Sequence, residues 1–377
     1  MISRLLIVFI LLTFICCNSY VKHVAVDRYT LITNESIRLH LDSLTGFASS
    51  RLQNIEIDNK EYLYVLYSSG EIHNISIFDL ELKVLERKIY LSQEGPNAVP
   101  NPFGIFVLNP DSIFVHARPY RIYLLNRYGS VKDWYNTSDG SLEIEPSLMV
   151  SSLKPVINRE KQLYFCAELI YPHPIQDHTK IPTVIKLNPY TKSLSYPYYR
   201  TEKFNDGQWG MGGMHTRFYQ TYNEADDLMV HSHGNDEYIY VYDEANKMTK
   251  YYAGSADMKE IKPFSKTQVI DAGESHRYEA TTGAYEAIKY DPYRQMYYRF
   301  AFLPVEDIAT QPSVFYGKIA IIILDRNFQK VGEYILPKGY DHTVSFVGKA
   351  GLHIASRAKY GQDENFLTFD IFVPVEK

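Results

Sequence analysis

Two histidines separated by one residue, His231 and His233, have the spacing in this chain that most directly suggests chemistry. They lie in the run DDLMVHSHG, which has the composition of a β-strand, and alternate residues of a strand point to the same side. Two imidazoles on one side can hold a divalent metal such as zinc or calcium. The candidates for a third ligand are His173, His178, His215 and Glu168. The alternative is that both rings pack or form hydrogen bonds without a metal.

A larger polar set occupies equivalent positions near the ends of several strand-like runs, each interpreted as the second strand of a repeat. A purely structural ring would have apolar or small residues at these positions. We therefore predict that the set converges on one face and binds a ligand, whose carboxylates or sulfates the arginines can hold bidentately. Its members are His116, Arg118, Glu168, His231, His233, Arg299 and Arg357.

Two connecting segments add candidates to this predicted site. Residues 201–215, TEKFNDGQWGMGGMH, are rich in glycine and contain Trp209 and His215. An exposed Trp209 would form a platform for stacking a sugar, whereas a buried one would fill the gap between two repeats. Residues 254–282 form a connection long enough to cover the same face.

Familiar catalytic and phosphate-binding motifs are absent from the sequence. It contains neither a G-x-S-x-G nucleophile turn nor a G-x-x-x-x-G-K phosphate loop. We therefore assign no catalytic residue and expect a binding protein for an acidic glycan, a peptide or a partner protein. Two alternatives remain open. One is an exported hydrolase or lyase that acts on acidic glycans with His231 or His233 as its base, and the other is a scaffold subunit of the cell envelope.

The elements that must position these residues are short strands. Residues 62–91 contain three runs rich in Tyr, Val, Ile and Leu, separated by polar breaks, which predicts an antiparallel meander. The same pattern returns along the chain in six units of about sixty residues. In each unit the third strand ends on an apolar residue followed by a turn-forming one. These pairs are Phe78-Asp79, Leu125-Asn126, Leu187-Asn188, Tyr242-Asp243, Leu324-Asp325 and Phe369-Asp370.

The sixth unit lacks a fourth strand, and the amino-terminal residues 21–41 contain strand-like runs without a partner. We predict that these residues complete the last unit and close a ring. The fold class is then all-β, a six-bladed β-propeller of four-stranded antiparallel blades. Closure of the ring protects sheet edges that an open array would expose.

The first residues have the pattern of an export signal. Residues 1–17 contain Arg4, an apolar run and the pair Cys16 and Cys17. We predict a lipoprotein signal with Cys17 as the lipidated residue, followed by a single domain over residues 18–377, although an ordinary cleaved signal remains the alternative. The protein would then be anchored by lipid to the outer membrane of a cell envelope, and we expect it to be a monomer. Its net charge of −5 gives no reason to expect a nucleic-acid partner.

Three segments resemble a known family. The sequence YDPYRQMYYR at 290–299, together with GLHIASR at 351–357 and NFLTFDIFV at 365–373, is similar to a family of Bacteroidota lipoproteins, the domain of unknown function 4221. The repeats also resemble those of six-bladed propellers of the NHL and TolB-like kind. The resemblance covers essentially the whole chain after the signal. It implies a propeller fold but no reaction, cofactor or catalytic residue.

Overall fold

The computed structural model describes residues 27–377, except for residues 44, 71, 119, 170–176, 211–212, 266–270 and 310–312. The predicted signal at 1–17, Cys17 and His173 lie outside the described residues. In the described part the chain forms mainly antiparallel strands, arranged as six consecutive blades. Among the described residues, no helix is long and apolar enough to cross a membrane.

The first three blades follow one another along the chain, each built from its own run of strands. Blade 1 has β2 (Leu52–Ile57), β3 (Lys60–Ser69), β4 (Ile72–Asp79) and β5 (Val84–Tyr90). Blade 2 has β6 (Pro102–Asn109), β7 (Ser112–Ala117), β8 (Arg121–Leu125) and β9 (Val131–Asn136). Blade 3 has β10 (Ser147–Met149), β11 (Ile157–Arg159), β12 (Gln162–Glu168), β13 (Pro182–Leu187) and β14 (Leu194–Tyr199).

The last three blades complete the ring, and the sixth takes its outer strand from the amino terminus. Blade 4 has β15 (Phe218–Asn223), β16 (Leu228–His233), β17 (Tyr238–Tyr242) and β18 (Met248–Tyr252). Blade 5 has β19 (Ala284–Asp291), β20 (Met296–Phe302), β21 (Ile319–Leu324) and β22 (Lys330–Leu336). Blade 6 has β23 (Tyr340–Gly348), β24 (Gly351–Ser356), β25 (Phe366–Glu376) and β1 (Tyr29–His40).

The predicted closure by the amino-terminal strand is confirmed. β1 pairs antiparallel with β25 along its whole length, and Tyr29 also pairs with Gly332 of β22 in blade 5. Leu31 and Leu39 of β1 are buried in two different core clusters. The first strand of the chain therefore joins the last blade to its neighbour and closes the six-bladed β-propeller.

Helices are few and short in the described part of the chain. α1 (Ala272–Thr282) lies in the connection between blades 4 and 5, and α2 (Arg357–Tyr360) follows β24. Single-turn 3-10 helices occupy His178–Lys180, Glu202–Asp206, Met214–Thr216 and Val314–Tyr316. The Asp271 side chain caps the amino terminus of α1, and Gly283, with φ of 70°, ends it.

The innermost strand of blade 3 is interrupted, and this shapes the channel along the propeller axis. β10 and β11 both pair with β12, and the residues between them leave the sheet. Within that segment, the backbone N–H of Ser152 donates to Ser50 of blade 1, and its hydroxyl donates to the carbonyl of Thr343 in blade 6. Segment 150–156 therefore contacts blades on the far side of the ring and crosses the channel.

Candidate functional site

The predicted binding residues lie where the second strand of each blade ends, but most of their side chains are buried. Side chains in the body of a second strand are packed between neighbouring blades, whereas residues beyond its end can reach solvent. His231, His233 and Arg299 lie within strands and are at most 2% exposed. Arg118 and Arg357 lie just after the strands β7 and β24 and are exposed.

His231 and His233 face the same side of β16, as predicted, but this side is an aromatic core. The His231 ring lies 4.7 Å from that of Tyr198 and 4.9 Å from that of Phe218, centroid to centroid. The His233 ring contacts Phe218 and Phe204. Burial lowers the pKa of His233 to about 4 and that of His231 well below its usual value. Neither ring is accessible to act as a base on a glycan.

The three candidates for a third metal ligand that lie within the described residues have other partners. His215 is buried with Nε2 2.6 Å from the carbonyl oxygen of Gly283, and burial lowers its pKa to about 4. Nδ1 of His178 lies 3.1 Å from the guanidinium of Arg200. Glu168 forms an ion pair with Lys154. Across the described residues, no group of three His, Cys, Asp or Glu side chains is placed to hold a metal.

The structure decides between the two roles predicted for Trp209 and corrects the one predicted for Arg299. Trp209 is 3% exposed, packs against Phe204 and donates its indole N–H to the Phe204 carbonyl, so it fills the gap between blades 3 and 4 rather than offering a sugar platform. The Arg299 guanidinium donates to Ser232 and to four backbone carbonyls, and it lies over the ring of Tyr285. All its N–H groups are used inside the fold, which leaves none for a ligand.

Arg357 lies over the ring of Phe47, 4.3 Å from the centroid, and forms an ion pair with Asp341 at 2.5 Å. A ligand would have to compete with this carboxylate. Cys166 is buried, as an inert packing residue would be, and burial raises the pKa of its thiol. Cys166 therefore offers no free group to a ligand, and a ligand that binds Arg357 has to compete with Asp341.

Arg51, Phe103, His116 and Arg118 form a cluster between blades 1 and 2, which we call the cationic cluster. The guanidinium of Arg118 lies 3.6 Å from the centroid of the Phe103 ring, and that of Arg51 lies 4.6 Å from it. The His116 ring meets Phe103 edge-on at 5.9 Å. Cations are attracted to an aromatic face, which holds both arginines at one ring.

The electrostatics of the cationic cluster are unbalanced. Among the described residues, neither Arg51 nor Arg118 forms an ion pair with a carboxylate. Burial and the charge of Arg118 lower the pKa of Arg51, and the same two causes lower that of His116 to about 4. Both ring nitrogens of His116 are buried without a hydrogen-bond partner in the described part of the chain. This cluster contains two predicted residues, His116 and Arg118, and two that were not predicted.

A second polar group lies on the channel side of blades 3 to 6 and was not predicted. Glu286 of β19 forms an ion pair with His342 of β23 and accepts a hydrogen bond from Tyr219 of β15 at 3.4 Å. Burial alone would raise the pKa of Glu286, but His342, Arg217 and Lys154 lower it below its usual value. The sequence feature that could have indicated this group is the presence of polar residues within the first strands of blades, such as Glu286 in YEAIKY.

Comparison with known proteins supports the fold. The model of the family described as "Domain of unknown function (DUF4221)" matches residues 28–335. The crystal structure of a member of this family from Bacteroides vulgatus is 24% identical, with a TM-score of 0.84, and the match covers 93% of this chain and 99% of that one. No curated protein matches the sequence.

Two other solved structures are more distant. Virginiamycin B lyase from Staphylococcus aureus is 8% identical with a TM-score of 0.43, over 92% of this chain and 100% of that one. BamB from Moraxella catarrhalis is 10% identical with a TM-score of 0.40, over 91% of this chain and 100% of that one. Similarity at this level carries no argument about activity or partners.

Proposed function

The chain belongs to the family described as domain of unknown function DUF4221, and we propose that its β-propeller binds an acidic glycan or peptide at the cationic cluster. One observation carries this proposal. Arg51 and Arg118 lie over one aromatic ring, and in the described part of the chain neither has a carboxylate partner. Two guanidinium groups at one ring repel each other, and a bound carboxylate or sulfate removes this repulsion while accepting hydrogen bonds from both.

His116 supports the same site. Its ring is 2% exposed, and neither nitrogen has a hydrogen-bond partner among the described residues. A buried polar group without a partner is costly, by about 1–3 kcal/mol. The ring is as deeply buried as those of His231 and His233, so His116 contributes to the site by packing edge-on against Phe103 and not by contacting the ligand.

The positions of two aromatic residues indicate how the site would recognise a ligand. Trp209 is buried, and Phe103 already has two guanidinium groups near its ring, so neither ring is offered for stacking on a sugar. Recognition at this site therefore depends on charge and hydrogen bonds. This favours a uronic acid, a sulfated sugar or an acidic peptide over a neutral glycan.

The double variant Arg51→Gln/Arg118→Gln tests the proposal. Isothermal titration with an oligogalacturonate and with a short poly-glutamate peptide should give binding for the unmodified protein. The methyl-esterified oligogalacturonate, which lacks the charge, should not bind. We expect each arginine removed to weaken binding about tenfold or more, since a hydrogen bond to a charged group contributes about 1.5–3 kcal/mol.

Arg127→Gln is the matched control, because Arg127 lies in blade 2, as Arg118 does, but forms an ion pair with Asp111. It should bind the acidic probes as the unmodified protein does. The proposal fails if the double variant binds them with unchanged affinity, or if no acidic probe binds the unmodified protein at millimolar concentration.

We further propose that Cys17 anchors the protein to the outer membrane by a lipid, which would place the cationic cluster in the cell envelope. The support is the sequence pattern of an apolar run before a cysteine pair. Cells that express the full chain should yield a protein that partitions into detergent, and Cys17→Ala should partition into the aqueous phase. Aqueous partitioning of the unmodified protein, or detergent partitioning of Cys17→Ala, would refute lipidation at this residue.

A further inference from the structure

A cavity of about 240 Å³ lies on the propeller axis, apart from the cationic cluster. Every blade contributes to its wall. The lining residues include one or more from each blade, for example, from blade 1 to blade 6, Gln53, Ile105, Ser152, Thr221, Lys289 and Phe346. Because segment 150–156 crosses the channel and lines this cavity, the space is bounded by the interrupted strand of blade 3 as well as by the inner strands of the other blades.

Lys289 places a cation in the wall of this cavity. The residue is 8% exposed, and its Nζ donates to the carbonyl oxygens of Ser152 at 2.5 Å and Ser345 at 3.1 Å. An ammonium group has three N–H bonds, and in the described part of the chain only two of those of Lys289 have an acceptor. The third can donate to a ligand. Burial lowers the pKa of Lys289 to about 7, which reflects the cost of a charge removed from water.

The charge of Lys289 is not neutralised by an ion pair within the described residues. Glu286 is the nearby carboxylate, but it is engaged by His342 and Tyr219. Buried charges are normally paired, because an isolated one costs several kcal/mol. Lys289 has only neutral carbonyl partners, so an anion in the cavity would complete its coordination.

The other residues that line the cavity indicate the chemistry of the uncharged part of such an anion. Ile105, Ile288 and Phe346 supply an apolar surface. The Thr221 hydroxyl accepts a hydrogen bond from the backbone N–H of Tyr290 at 3.2 Å, which leaves its own proton for donation. The volume suits roughly six to ten non-hydrogen atoms, since an apolar cavity of about 150 Å³ holds benzene.

We propose that the axial cavity is a second binding site, which takes a short-chain carboxylate. The carboxylate accepts hydrogen bonds from Lys289 and Thr221, and the alkyl chain packs against Ile105, Ile288 and Phe346. This site is independent of the cationic cluster, which lies between blades 1 and 2 and binds through exposed or half-buried arginines.

The test uses butyrate as the probe and butyramide, which has the same shape without the charge, as its control. Butyrate at millimolar concentration should raise the melting temperature of the unmodified protein by mass action, and butyramide should not. Lys289→Met, which keeps the length of the side chain, should weaken butyrate binding at least tenfold. Lys247→Met removes an exposed lysine of blade 4 and should change nothing.

Equal shifts from butyrate and butyramide, or an unchanged response of Lys289→Met, would overturn the proposal. If Lys289→Met fails to fold, the unmodified protein is tested by NMR instead. Contacts from labelled butyrate to the Phe346 ring are then expected, and their absence would overturn the proposal. The variant Arg51→Gln/Arg118→Gln should keep the butyrate response, so this proposal and that for the cationic cluster can fail separately.

Discussion

A chain that begins at residue 42 will not unfold cooperatively, whereas one that begins at residue 27 will. The difference is β1, which pairs with β25 through eleven residue pairs from Tyr29–Glu376 to His40–Phe366. Leu31, Leu39 and Leu41 are buried with this strand. Loss of three buried leucines costs about 5–9 kcal/mol, which is comparable to the whole stability of an ordinary domain at about 5–15 kcal/mol.

Deletion of β1 also exposes the hydrogen-bonding edge of β25, and an open edge promotes aggregation. Urea unfolding followed by tyrosine fluorescence and by circular dichroism provides the measurement. The shorter chain should lose the sharp transition, and a synthetic peptide of residues 27–41 should restore it. If the two chains melted alike, blade 6 would be stable with three strands, and the closure would not hold the ring together.

The architecture could be predicted from the sequence because each strand end carries a local signal. The pair Phe78-Asp79 illustrates this, since the carboxylate of Asp79 accepts hydrogen bonds from the backbone of Glu81 and Leu82 and so fixes the turn. The interruption between β10 and β11 could not be predicted, because it depends on contacts of Ser152 with blades 1 and 6.

The site was harder to predict than the fold, for a geometric reason. Alignment of second strands locates one end of each strand, but it does not distinguish a side chain between blades from one beyond the strand. Arg299 and Arg118 occupy nearby positions in that alignment, yet one is fully buried and the other is exposed. The distinction depends on whether a neighbouring blade covers the residue.

The channel residues lie in first strands, whereas the predicted site was built on second strands, and bulges disturb the alternation of side chains in the first strands. The register shifts between Tyr285 and Ile288 in β19, and between Asp341 and Ser345 in β23. Glu286 and His342 lie within these irregular stretches. A strict period of two residues therefore assigns their side chains to the wrong face.

The free energy of unfolding should fall by at least about 8 kcal/mol between pH 7.5 and pH 5, because buried histidines must take up protons when the chain unfolds. Burial lowers the pKa of four of them to about 4, namely His116, His215, His233 and His353. In the unfolded chain each has a pKa of about 6.5. Each therefore contributes about 2 kcal/mol to the difference at pH 5.

The sign follows from the direction of these shifts. A lowered pKa means that the folded protein binds fewer protons than the unfolded chain, so the stabilisation is complete above pH 6.5 and is lost as the pH falls toward 4. Urea titrations at half-unit intervals should give an uptake on unfolding at pH 5 of about three to four protons from these four rings and about one more from His231, whose pKa burial lowers further still. Carboxylates with lowered pKa values, such as Asp111, lose their contribution at lower pH and do not produce this slope.

One histidine can be separated from the others to test this explanation. The His353 ring stacks on Phe346 with centroids 4.4 Å apart, so His353→Phe keeps an aromatic ring there and removes the group that titrates. Proton uptake on unfolding at pH 5 should fall by about one in this variant. His276→Gln, which changes an exposed histidine of α1, should leave the uptake unchanged. A free energy of unfolding that stayed constant from pH 7.5 to pH 5 would contradict this prediction. It would mean that these histidines accept protons within the folded propeller, because their rings are less isolated from water than their packing indicates.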